Sequence, residues 1–241
     1  YNATLEPDSD TVIMFTPEGA EKSAYVFDNW VGPNGGTGAT MAWSVKSGNK
    51  LTETTPVVLE FSGDGYAIER TVSVDNRYLI TLDDKVTNTS SANISLIRKG
   101  VSRQHGLPDD LTNFFILQEG PIAVVNKELV DMKYKKLSKK KAVVEVGESG
   151  WAGLTDKYWL AAAIAPQGKP MSAKFNFRTI NEQEVYEAGY ELDPTTLTPG
   201  TTISSKGYIY GGAKDRGVLE GYENDLGIAQ MDLAIDWGFL G

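Results

Sequence analysis

The stretch Gly150-Trp151-Ala152-Gly153-Leu154-Thr155-Asp156-Lys157-Tyr158-Trp159 decides how the chain is read. It carries three large aromatics and two glycines, then runs through Leu160 to Ala165 as a small-residue apolar segment closed by Pro166. Aromatics of this size dominate a core or an interface. Glycines beside Trp151 point to close backbone approach or positive φ rather than to a linker. The stretch therefore reads as a turn leading into a buried central strand. Trp151, Tyr158 and Trp159 are its anchors, and Asp156 and Lys157 its exposed turn.

Outward from it the period is two. Ala173, Phe175, Phe177 and Thr179 alternate with Ser172, Lys174, Asn176 and Arg178, which predicts a half-buried strand. Upstream, Tyr66, Ile68, Arg70, Val72 and Val74 alternate with Ala67, Glu69, Thr71 and Ser73. Asp75-Asn76 turns this strand into Tyr78, Ile80 and Leu82, a hairpin extended by Lys85 to Thr89. Short strands are also expected at Thr11 to Phe15, Tyr25 to Val31, Asn93 to Val101, Asn113 to Gln118, Ile122 to Val125, Leu129 to Tyr134, Ala142 to Val146, Val185 to Leu192 and Thr201 to Tyr210. About fifteen strands at this spacing without intervening helices predict a large antiparallel β-sandwich. Only the end changes character. Gly211-Gly212 closes the β region, a helix follows with Val218, Leu219, Tyr222 and Leu226 on one face, and Gly227 stops it. The expected division is a sandwich over 1–211 and a helical linker over 212–241.

Composition narrows function. Of 241 residues, 23 are basic and 32 acidic, a net charge of −9, which argues against a nucleic-acid partner. There is no cysteine, and no run reaches the roughly 20 apolar residues that span a bilayer. The chain as given is expected to be soluble, either a mature secreted protein or a fragment of a longer one.

Chemistry-bearing residues are sparse. His105, the only histidine, precedes Gly106 and reads as a structural loop residue. One histidine without cysteine predicts no metal site, and no cofactor motif is present. Asp83-Asp84 and Asp109-Asp110 read as solvated turn residues. Lys133, Lys135, Lys136, Lys139, Lys140 and Lys141 crowd around Leu137-Ser138. They read as a solvated hairpin tip that discourages edge pairing, with contact to anionic lipid headgroups as the alternative. In the final stretch, Ile228, Met231, Ile235, Trp237 and Phe239 suit an amphipathic segment at a membrane surface. The competing reading is a helix docked on the sandwich.

Four blocks carry a resemblance. They are Glu69 to Tyr78, Ser102 to Pro108 with Gln104-His105 altering its spacing, Gly150 to Trp159, and Gly211 to Lys214 followed by Leu226-Gly227 and Ile235-Asp236-Trp237-Gly238-Phe239. Together they resemble the periplasmic domain of YidC-type membrane protein insertases, with Phe239 standing where the family's usual ending has its second aromatic, a tryptophan. Trp151, Gly153, Asp156, Lys157, Tyr158 and Trp159 stand at the family's motif positions. The resemblance implies a galactose-mutarotase-like β-supersandwich on the periplasmic side of a Gram-negative inner membrane, within a multi-pass protein. It also implies a non-catalytic accessory role in membrane-protein insertion, with Sec translocon components and nascent membrane proteins as partners and the membrane surface near the C-terminus. The alternative is a carbohydrate-binding or aldose-epimerase-like sandwich, because that fold is shared.

Overall fold

A computed structural model describes residues 8–32, 41–109, 111–112 and 117–235. Among these, the chain begins with β1 (Ala24–Val31), β2 (Ser44–Ser47), β3 (Val57–Gly63), β4 (Tyr66–Val74), β5 (Leu79–Asn88) and β6 (Ile94–His105). It continues through β7 (Gly120–Val125), β8 (Glu128–Asp131), α1 (Tyr134–Lys140), β9 (Ala142–Glu148), β10 (Gly150–Thr155) and β11 (Trp159–Ile164). It ends with β12 (Pro170–Ile180), β13 (Gln183–Leu192), β14 (Thr195–Leu197), β15 (Thr202–Ala213), α2 (Arg216–Leu226) and a 3-10 turn at Met231–Ala234.

The pairings are antiparallel and build two sheets. One has the order β1-β6-β13-β12-β9, with β14 also on β6; the other runs β2-β3-β4-β5-β15-β11-β10-β7-β8. The expected antiparallel sandwich is the fold observed. Ala123, Ala152, Leu154 and Ala163 of the nine-stranded sheet meet Met171, Phe175, Tyr186 and Tyr190 of the six-stranded one. A second cluster between them has Trp30 and Leu96 against Tyr66, Ile68 and Val86. The outer face of the nine-stranded sheet is covered too. Ile122, Val124, Trp151, Leu160 and Ile164 pack under Leu219, Tyr222, Ile228 and Met231 of the C-terminal elements. Burial of both faces explains why β7 and β10 are buried at every residue and show no polar alternation.

The decisive stretch is a hairpin rather than a turn before a strand. Gly150–Thr155 is itself β10, paired Trp151 to Ile164 and Thr155 to Leu160 with β11. Asp156 makes the turn: its Oδ1 accepts the backbone N–H groups of Tyr158 and Trp159, each at 2.7 Å. That is the turn-forming use of a short carboxylate.

Several expectations are corrected. Thr11 to Phe15 is not a strand; only Thr11 makes a bridge, and Thr16 ties the segment to Ala24. The Asn113 to Gln118 strand falls largely outside the described residues. Leu129 to Tyr134 is shorter, because the chain leaves β8 at Asp131 and turns helical at Tyr134. The lysine-rich tip is helix α1, held by buried Tyr134 and Leu137, which lie i, i+3 on one face. Asp84 is no turn residue but a buried mid-strand carboxylate, because two arginines meet it. Gly211-Gly212 does not end the β region: β15 runs on to Ala213, so the expected boundary at 211/212 falls inside a strand. A Cβ at Gly211 would lie 2.3 Å from the Phe15 ring, so the glycine makes room for that ring. The helix beyond is as expected in kind, with Asp215 capping the Val218 N–H and Gly227 at φ +67° closing it. Leu226, expected on its buried face, is exposed.

Candidate functional site

Within the sandwich, ionisable groups form one buried network. Arg70 donates to both oxygens of Asp84 at 2.7 Å, and to Asp28 Oδ1 at 3.2 Å. Arg98 donates to Asp28 Oδ1 at 3.0 Å and to the Ser205 carbonyl at 2.6 Å. Trp30 Nε1 donates to Asp84 at 2.8 Å, and the Tyr190 hydroxyl donates to Asp28. Burial works against the charge on Arg98, yet Asp28, Tyr190 and Asp84 more than offset it, so its pKa rises above the ordinary arginine value. Burial, then Asp28, pushes the Tyr190 hydroxyl well above the usual tyrosine range. Two cations and two anions balance, and their donors have acceptors. The network is a structural clamp across the sheets.

The outer face of the six-stranded sheet holds a groove of about 700 Å³. Its floor follows from strand register. Tyr25 lies opposite Arg103, Arg103 opposite Glu187, and Glu187 opposite Asn176. In the next row Phe27, Val101, Gly189 and Lys174 are aligned, and beyond it Asn29, Lys99 and Glu191. Glu187 is the hub: its Oε1 accepts from Arg103 Nε and Arg178 Nη2, both at 2.6 Å. Arg103 also reaches the Tyr25 hydroxyl at 3.0 Å and lies over the Tyr25 and Phe27 rings. Burial lowers and Glu187 raises the Arg103 pKa, and the carboxylate prevails. Burial raises the Tyr25 hydroxyl despite Arg103. Gly189 cannot carry a side chain, since a Cβ there would sit 2.3 Å from the Gly100 carbonyl oxygen. The result is a dip between aromatic and charged walls. At the edge of the same face, Val144 and Val146 of β9 are exposed.

The strand pattern anticipated Lys174, Asn176 and Arg178 on one face. It missed Tyr25, Arg103 and Glu187. The signal available for Glu187 and Glu191 was their spacing around Gly189. His105 ends β6 rather than sitting in a loop, nearly buried, with Nδ1 3.1 Å from Gln183 Oε1.

The predicted site residues do not converge on this groove. Trp151 is fully buried beneath the C-terminal segment, its Nε1 donating to the Ala229 carbonyl at 3.0 Å. Gly153 allows strands to meet, because a Cβ would lie 2.4 Å from the Ala161 carbonyl oxygen. Lys157 lies over the Tyr158 ring at the hairpin tip. Tyr158 is 58% exposed, so it is no core anchor; a tip residue has no facing sheet to pack against. Trp159 is half-buried at the start of β11.

Ile228 and Met231 are corrected as well. Both are buried in the cluster over Trp151, and Ile235 packs against it. The sheet takes the apolar side that a membrane would have taken. Trp237 and Phe239 lie outside the described residues. No helix among the described residues is long and apolar enough to cross a membrane.

Comparison with known proteins adds identity. The family model of the YidC periplasmic domain matches residues 1–241. The membrane protein insertase YidC of Maricaulis maris is 36% identical over 245 residues, covering 100% of this chain and 41% of that protein. The protein of the same name from Rhizobium etli is 34% identical, with 99% of this chain and 40% of that protein covered. The chain thus spans about two fifths of the length of these relatives. Among solved structures, the sandwich is similar to a galactose mutarotase related enzyme from Lactobacillus acidophilus, at 10% identity, a TM-score of 0.47 and 70% coverage of each chain. Matched along its whole length by the family model and by relatives above 30% identity, the chain belongs to the YidC periplasmic domain family.

Proposed function

We propose that this chain is the periplasmic accessory domain of a multi-pass inner-membrane insertase and works by binding and positioning, without catalysis. The observation that carries the reading is the full-length family match in relatives named membrane protein insertase and more than twice as long. The chain after β15 links the sandwich toward a membrane span. The packing of Ile228 and Met231 on Trp151 supports a link that is docked rather than free.

The groove supports a binding role. Glu187 accepts from two arginines, and His105 Nδ1 lies 3.1 Å from Gln183 Oε1, so both are tied into the strand framework of this face. Aromatic walls, paired charges and the exposed valines of edge strand β9 suit an extended segment of a nascent membrane protein, which β9 can also take up as an added strand. Sec translocon components are the further partners of this reading. The test is titration of the isolated chain against fluorescent, unfolded apolar peptides. Saturable binding by high micromolar concentration, weakened by Arg103→Glu, is expected. Absence of binding would leave the domain the positioning role alone.

A further inference from the structure

We propose that the end of the sandwich capped by α1 is a docking face for an anionic phospholipid surface. This rests on the reading that the domain works beside a membrane, but not on what the groove binds.

The argument begins with α1. Its buried side, Tyr134 and Leu137, plugs the space between the sheets. Helical geometry then turns Lys135, Lys136, Lys139 and Lys140 to solvent, and all four are exposed. Three lysines on the sheet faces have acidic partners: Lys46 with Glu69, Lys174 with Glu191 and Lys206 with Asp83. These four form no ion pair among the described residues. Asp131 and Glu145, on the strands either side of α1, do not neutralise them within salt-bridge distance. In a chain of net charge −9, this puts four exposed lysines on one short helix.

The same end exposes apolar side chains. A cavity lined by Ile13, Gln104, Pro108, Tyr134, Thr155 and Trp159 shows that the N-terminal segment, the end of β6, α1 and the β10–β11 tip come together there. The Gly106 N–H donates to the Glu184 carbonyl at 2.7 Å, which adds the β12–β13 tip. On this surface Ile13 is 69% exposed, Tyr158 58%, Leu107 43% and Ile180 38%. Lys157 lies 4.7 Å from the Tyr158 ring centroid, placing a cation beside an exposed aromatic. Acidic groups are present as well. Asp109 pairs with Lys22, the Asp156 carboxylate is spent on its own turn, and Glu184 accepts from Tyr186.

Lysines around exposed aliphatics and a tyrosine fit a headgroup layer: the ammonium groups meet lipid phosphates and the apolar tips enter the acyl boundary. Neither signal alone gives stable adsorption, whereas two together do. An acidic protein surface would match the lysines but leave Ile13 and Tyr158 without apolar cover.

The experiment is flotation of the 241-residue chain with vesicles of phosphatidylglycerol and phosphatidylethanolamine, against vesicles of phosphatidylcholine alone. Binding to the anionic vesicles only, falling steeply with salt, is expected. Lys135→Glu, Lys136→Glu, Lys139→Glu and Lys140→Glu combined should reduce it at least about 100-fold, from roughly 1 kcal/mol for each charge near the surface. Circular dichroism and thermal unfolding check that this variant folds, and the corresponding glutamine set gives a second, milder measure. Because the chain has no cysteine, Lys157→Cys carries a single environment-sensitive dye. Its emission should rise on anionic vesicles, while a dye at Val146→Cys, on the groove face, should not respond. Equal binding to both vesicle types, unchanged binding by folded glutamate and glutamine variants, or a response at 146 rather than 157 would overturn the proposal. Peptide binding by the groove is read separately and is unaffected by any of these results.

Discussion

Arg70 and Asp84 face each other across β4 and β5 and form a two-pronged pair, with both nitrogen–oxygen distances at 2.7 Å and both side chains buried. A carboxylate in this position is tolerable only because Arg70, Trp30 and, at 3.7 Å, Arg98 surround it. Removing one partner strands the others away from water. Asp84→Ala is therefore expected to cost about 3–5 kcal/mol, read as a lower urea midpoint. Arg70→Ala should cost a similar amount. The double variant should cost much less than the sum, because the two side chains share one network. Additive losses would mean that the pair contributes little as a pair.

Trp151 couples the sheet to the C-terminal segment. Its ring fills the cluster with Ile228 and Met231, and its Nε1 holds the Ala229 carbonyl. Trp151→Phe keeps much of the apolar contact and loses the hydrogen bond, so a cost of about 1–2 kcal/mol is expected. Trp151→Ala should cost about 3–5 kcal/mol and expose the chain after Gly227 to limited proteolysis. Cleavage there in Trp151→Ala but not in Trp151→Phe would show that packing holds the segment.

Gly153 and Gly211 are both crowded, but by different neighbours. A Cβ on Gly153 meets backbone, the Ala161 carbonyl oxygen at 2.4 Å; one on Gly211 meets the Phe15 ring at 2.3 Å. A side-chain ring on a terminal segment can move, whereas a paired strand cannot. Gly153→Ala should destabilise by about 1–3 kcal/mol or more. Gly211→Ala should leave the unfolding midpoint nearly unchanged and instead speed proteolysis near Phe15. Equal loss of stability in the two variants would show that the Phe15 segment is as firmly held as β11.

How much of this was legible follows from residue spacing. Alternation placed Ala173 and Phe175 inward and Lys174 and Asn176 outward, which is one wall of the groove. The Asp75-Asn76 turn marked the hairpin but not its register: a two-residue turn there would put Arg70 opposite Thr81, whereas the loop runs on to Tyr78 at φ +65° and pairs Val74 with Ile80 and Arg70 with Asp84. What stayed hidden depends on distant strands. Arg103 and Glu187 lie 84 residues apart, and no local pattern joins them. In α1 the lysine run masked the Tyr134 and Leu137 pair. The stretch from Ile228 suggested a membrane because its apolar residues, which cover Ile122, Val124 and Leu160, suit a lipid surface as well as a sheet. The unbroken apolar strands β7 and β10 were the clue that both faces of that sheet are buried.

Glu223 sets a pH dependence on the docking of the last segment. Its Oε1 accepts the Asp232 N–H at 3.0 Å, so α2 and the 3-10 turn meet at two carboxylates. Partial burial, followed by the side chain and charge of Asp232, raises the Glu223 pKa above its ordinary value, although the Asp232 backbone N–H opposes this. The sign follows from linkage: a group whose pKa is raised on folding binds its proton more tightly in the folded state. Its stabilising contribution is fully present below the unfolded carboxylate pKa and is lost as pH rises through the folded one. At neutral pH the ionised Glu223 therefore works against the docked turn. Glu223→Gln removes the charge and keeps an oxygen that can accept from Asp232. It should unfold at a higher temperature than the parent at pH 7, with the difference shrinking toward zero as pH falls below about 4. Because Glu223 is only half-buried, solvent screens the effect and the shift should be small. Thermal unfolding of both proteins from pH 4 to pH 8 measures it. A gap that widens toward low pH would reverse the assignment and make the ionised carboxylate the stabilising form.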